Sequence, residues 1–127
     1  MSEQFERLSF SKNWNNKLLC QFFTSIRPLS NKYKADKVFD ILIGDTHFCY
    51  AKVVKTVELN LLQIVGFGLN FIDNGLSEKD FMEMMKKMYE KTSWWKDDNS
   101  AVMQVIYFEK VIQLNIFEDG LYPVKQN

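Results

Sequence analysis

The chain has 127 residues, 46% of them hydrophobic and 15% aromatic, eleven of the aromatics being phenylalanine. That is enough apolar material for one core, and it argues against a disordered chain. Sixteen basic residues balance sixteen acidic ones, which counts against tight non-specific nucleic-acid binding by net charge alone. No apolar run approaches the roughly 20 residues a membrane helix needs. The first ten residues carry Glu3 and Glu6 where a secretory leader would be apolar. A single domain over residues 1–127, in the cytoplasm and without a membrane partner, is expected.

Taken in chain order, residues 5–10 alternate weakly and predict a first strand. A short helix over residues 11–21 follows, with Ser11 as N-cap and Trp14 and Leu18 at helical spacing. Residues 22–27 read as an extended run that stops at Pro28. In such a run Ser25 and Arg27 share one face, and Thr24 and Ile26 the other. Residues 37–43 alternate again. Gly44-Asp45 then fits a two-residue hairpin turn before a returning strand over residues 46–58. A simple register would set Ile41 opposite Phe48 and Phe39 opposite Tyr50, building an aromatic face.

Residues 59–72 are apolar and partly helical in pattern, weakened at Gly66 and Gly68. Asp73-Asn74-Gly75 reads as a turn or helix C-cap. Ser77 then caps a well-marked helix, with Asp80 at its third position and Phe81, Met84, Met85, Met88 and Tyr89 along one stripe. The methionines read as core. A polar loop carrying Trp94 and Trp95 leads to a strand over residues 101–110, and residues 111–127 offer one more strand before Pro123. Five or six strands with two or three helices predict an α+β fold. A small, partly closed barrel with helices at its mouth would protect the strand edges best.

Charge is unevenly placed. Lys12, Lys17, Arg27, Lys32, Lys34 and Lys37 fall within one stretch opposed only by Asp36. Such a cluster is either a solvated surface or an electrostatic footprint for a polyanion. Cys20, Cys49 and His47 have no metal-site spacing, and a structural zinc needs about four ligands. No metal or cofactor is expected, and both cysteines read as reduced thiols. His47, opposite Leu42 on the hairpin, reads as a structural or surface residue.

The order of a lysine-bearing helix, Thr24-Ser25-Ile26-Arg27, Tyr33-Lys34, Val38-Phe39-Asp40-Ile41, a hairpin, Asp73-Asn74-Gly75 and Ser77, and a helix ending Met88-Tyr89 resembles the ASCH domain of the PUA-like superfamily. The resemblance covers roughly residues 5 to 110. It implies a pseudo-barrel with a cleft between barrel and helices, in a superfamily associated with RNA and modified-base recognition. Some small members are amidohydrolases that use a Lys, a Thr and a Glu. Where this pattern places the lysine, the chain has Phe22. The threonine position falls on Ser25 and the glutamate near Asp80, while the arginine is kept as Arg27.

These readings lead to one principal expectation and two alternatives. The first is a cleft for RNA or a nucleotide-like ligand, lined by Lys12, Lys17, Ser25, Arg27 and Lys34, with Trp94 or Trp95 as a stacking wall. The second is a small amidohydrolase acting on a modified nucleoside, with Ser25 as nucleophile and Asp80 in support; Phe22, at the lysine position, can neither donate a proton nor attack. The third is a protein–protein interaction module presenting exposed aromatics.

Overall fold

The computed structural model describes residues 5–115 and 120–123, with side chains through Val111. The elements run β1 (Glu6–Phe10), a 3-10 helix (Trp14–Leu19), β2 (Phe22–Pro28), β3 (Val38–Ile43), β4 (Thr46–Asn60), α1 (Leu61–Gly66), α2 (Leu69–Asn74), α3 (Glu78–Tyr89), β5 (Val102–Asn115) and β6 (Gly120–Pro123). The strands form one sheet in the order β1-β3-β4-β5-β2, with β6 also paired to β5. The β1–β3 pair is parallel and the others are antiparallel.

The sheet is strongly curled, because the first and last strands of its order touch. The rings of Phe10 on β1 and Phe23 on β2 lie 6.4 Å apart, and Arg27 on β2 donates through Nη2 to the Ser9 carbonyl of β1 at 3.1 Å. No backbone ladder joins these two strands among the described residues. The molecule is therefore a half-barrel whose seam is bridged by side chains, consistent with the small, partly closed barrel expected from the sequence. A five-residue β1 already engaged by β3 gives β2 little backbone to pair with.

Inside the curl lies one apolar cluster, with Leu8, Phe10, Phe23, Phe39, Ile106 and Phe108 among its members. Phe23 stacks on Phe108, and Phe39 meets Phe108 edge-on. A second cluster lies on the other face of the sheet, where Ile26, Met103 and Val105 meet Leu61 and Ile64 of α1 and Phe81 and Met85 of α3. The helices thus cover the outer face near the ends of β4 and β5. Alternation along β2 and β5 feeds both clusters at once. Trp94 and Trp95 pack at the edge of the second cluster, Trp94 against Tyr89 with ring centres 5.1 Å apart.

Local chemistry explains the helix boundaries. Asn60 and Gln63 form a capping box at the start of α1, each side chain bonding the other's backbone N–H. Gly68 opens α2 and Gly75 closes it, both at φ 73°, a conformation glycine adopts without strain. Ser77 caps α3 by accepting from the Asp80 N–H at 3.2 Å. The early helix differs from expectation. It is a 3-10 helix with Asn13 at its N-cap position and no side-chain cap bond there; Asn13 Oδ1 instead accepts from the Leu18 N–H, and the interior holds Asn15 and Asn16 at φ 55° and 54°. Asparagine tolerates this left-handed region better than most residues.

The hairpin turn is where the sequence put it, but the register beyond it shifts. Ile43 pairs with Thr46 and Leu42 with His47, then a bulge moves Ile41 onto Cys49 and Phe39 onto Ala51. The bulge turns Phe48 outward, to 37% exposure, and brings Ala51 into the core. The predicted Ile41–Phe48 and Phe39–Tyr50 pairs are therefore absent. A small residue opposite Phe39 leaves room for the aromatic stack inside the curl.

Candidate functional site

The most polar interior group of the molecule sits where the 3-10 helix, β2 and α2 meet. Lys17 is 7% exposed and Asp73 is 3% exposed. Lys17 Nζ lies 2.8 Å from Asp73 Oδ1, and the Thr24 hydroxyl donates to the same oxygen at 2.6 Å. Burial pushes the Lys17 ammonium below its ordinary value and the Asp73 carboxyl above its own, each opposed by the charge of the other. The pair holds together because three elements exclude water from it.

The docking of the 3-10 helix onto α2 is fixed by Asn15. Its left-handed backbone aims Nδ2 at the last-turn carbonyls of α2, donating to Phe71 O at 3.3 Å and Ile72 O at 3.1 Å. Phe71 O also accepts from the Gly75 cap N–H at 2.8 Å, so Asn15 adds a second donor at the end of α2 and anchors Lys17 two residues on.

Two cavities flank this group, and Lys17 lines both. The first lies along the seam and has a volume of about 370 Å³. Lys17, Ser25, Arg27, Asp73 and Asn74 bring polar groups to it, while Phe10, Trp14, Met84 and Met88 supply apolar wall. Arg27 is preorganised there: Nε donates to Ser25 Oγ at 2.8 Å, Nη2 donates to Ser9 O, and the guanidinium carbon sits 4.8 Å from the Phe10 ring centre. Asn74 Oδ1 is buried with no hydrogen-bond partner. Burial raises the Tyr89 phenol, and the nearby Arg27 opposes that rise. The second cavity, about 320 Å³, opens on the outer face beside Thr24, Phe22, Val54, Ile72 and Tyr107.

Three of the residues expected at the cleft, Lys17, Ser25 and Arg27, share the seam cavity. Lys12 stands at its rim with Nζ 4.0 Å over the Trp14 ring. Lys34 is exposed in the loop before β3 and lines neither cavity, nor do Trp94 and Trp95. Trp95 Nε1 donates to Asp97 instead. Asp80 is exposed in the first turn of α3, away from both cavities, so it and Ser25 are not brought together. The methionine stripe meets the seam cavity at Met84, Met85 and Met88, and Met85 is at the same time buried in the second core cluster. Sequence reasoning missed Asp73, which looked like a turn-former, and gave Thr24 only a backbone role.

His47 pairs with Asp40 on the outer side of the hairpin and its ring lies 4.7 Å from that of Tyr50. Cys20 is exposed; burial pushes the Cys49 thiol up to about 11, so it stays protonated at neutral pH. No cluster of His, Cys, Asp or Glu suited to a metal ion occurs among the described residues, and none of their helices is long and apolar enough to cross a membrane. No family model, curated protein or solved structure matches this chain, and the ASCH resemblance rests on its motifs alone.

Proposed function

We propose that the chain binds a nucleotide-like ligand, either a free nucleotide or one unit of an RNA strand, in the seam cavity. The observation that carries this reading is the guanidinium of Arg27, fixed by Ser25 and Ser9 on one cavity with an apolar wall, while the Lys17 ammonium there is paired to Asp73. A guanidinium has five N–H donors. Two contacts hold Arg27 in place, and the other donors are available to a phosphate or a base edge. Trp14, Met84 and Met88 give a base a surface to lie against.

The test is fluorescence polarisation with short labelled RNAs and nucleoside monophosphates at about 50 and 200 mM salt. Binding should weaken as salt rises. Arg27→Ala should weaken it by about ten- to a hundredfold, the range for a charge-assisted hydrogen bond of ~1.5–3 kcal/mol. Binding that is absent, or indifferent to both salt and Arg27, would refute the assignment.

A second reading, amide hydrolysis, is favoured by the Lys17–Asp73–Thr24 group. Asp73 would take the Thr24 proton as Oγ1 bonds to the acyl carbon, and Lys17 would give a proton to the departing nitrogen. Water would then cleave the acyl-threonine ester, releasing the acid and restoring the hydroxyl, while the proton on Asp73 returns to Lys17. A carboxyl raised by burial is suited to such a base. Thr24 would thus take the role that the resemblance assigns to Ser25. Assays on acylated nucleosides would separate the readings, since Thr24→Ala should abolish turnover and leave nucleotide binding intact.

A further inference from the structure

We infer that the outer cavity is a binding site for a small apolar carboxylate, with the alkyl part against Phe22, Val54 and Ile72 and the carboxylate at Lys55. This inference is independent of the nucleotide reading, because Ser25 and Arg27 belong to the seam cavity and not to this one.

The cavity is opened by an irregularity in β4. Val53 pairs with Phe108 and Lys55 with Tyr107, so Val54 is an extra residue between consecutive rungs of the β4–β5 ladder. It stands out at 42% exposure and forms one wall. Phe22 on β2 and Ile72 on α2 form others, at 60% and 57% exposure. Large apolar side chains this exposed and gathered around one concavity leave a surface that water covers at a cost. At about 320 Å³ the space falls at the small end of ligand sites, which run from ~300 to ~1,000 Å³.

Charge selects the occupant. The charged residues lining the cavity are Lys17 and Lys55. Lys17 is neutralised by Asp73. Lys55 has no carboxylate within ion-pair distance among the described residues, and its Nζ rests 5.0 Å over the Tyr107 ring. Tyr107 is the cross-strand partner of both Lys55 and Thr24, so the three form a row across the cavity floor. An apolar cavity whose one unneutralised charge is a lysine at its edge complements an alkyl chain ending in an anion. A neutral chain would leave the ammonium without a partner, and a cationic one would oppose it.

Octanoate, octanol and octyltrimethylammonium are suitable probes, each titrated into the intact ¹⁵N-labelled chain while amide shifts are followed. Octanoate should give saturable shifts at Phe22, Val54, Ile72 and Tyr107. It should bind about fivefold tighter than octanol, the upper end for an ion pair at an exposed edge, and the cation should bind least. Lys55→Met should remove the preference for octanoate over octanol while leaving the folded spectrum. Val54→Trp should fill the cavity and abolish binding of both. Equal or tighter binding of octanol, shifts that map elsewhere, or an octanoate preference that survives Lys55→Met would each overturn the assignment. Arg27→Ala should leave octanoate binding in place, because Arg27 lines the seam cavity and not this one, so a loss of nucleotide binding and a loss of this site read out separately.

Discussion

Asp73 shows how much a single buried carboxylate can organise. Lys17 of the 3-10 helix and Thr24 of β2 share one of its oxygens, so three elements meet on a single carboxylate. Removing the charge would leave the Lys17 ammonium buried without its counter-ion, the costly case for an interior pair. Asp73→Asn should therefore lower stability by about 3–5 kcal/mol in urea unfolding. The double variant Lys17→Met/Asp73→Leu should recover most of that loss. The pair could not be read from the sequence. Fifty-six positions separate Lys17 from Asp73, and an acid before Asn-Gly has a sufficient local explanation as a turn-former. Arg27 was easier to read, because strand alternation places it beside Ser25 whatever the fold.

At the scale of elements, caps and turns were the legible part. Ser77, Gly75 and the Gly44-Asp45 turn act as the local rules say, since each answers a need within a few residues of itself. The Asn60–Gln63 box has the right spacing in the sequence, but the continuous apolar run around it masks the helix start. Bulges were not legible: the shifts at Phe48 and Val54 follow from packing across the sheet, which alternation within one strand does not encode. Gly75 illustrates a cap with a second duty. A Cβ there would lie 3.1 Å from Asn15 Oδ1, and φ is +73°. Gly75→Ala should cost about 1–2 kcal/mol from backbone strain alone. It should also disturb Asn15 on the Phe71 and Ile72 carbonyls, so exchange at the residue 75 amide, which donates to Phe71 O, should speed up along with it.

For the whole molecule, the α+β class followed from the count of strands and helices and a partly closed barrel from the need to protect strand edges, while the make-up of the seam did not. Closure depends on whether the outermost strands share a ladder, and here they meet through Phe10, Phe23 and Arg27. This makes the seam the least cooperative join in the sheet, held by side chains instead of repeated backbone bonds. Native-state hydrogen exchange should show β1 opening at lower free energy than β4 and β5. Arg27→Met should lower that opening energy further, with little effect on the β4–β5 ladder. Uniform protection across all the strands would contradict this picture.

The bridged seam also bears on how the protein behaves in a crowded solution. A sheet that stops short of closing keeps two strand edges, and exposed edges recruit strands from other molecules. Here each edge screens the other at the seam, and the Arg27 contact keeps them together. The gap at the seam therefore leaves the chain open to edge-to-edge association whenever the seam loosens. A ligand that spans Arg27 and Lys17 would act as a guard against self-assembly.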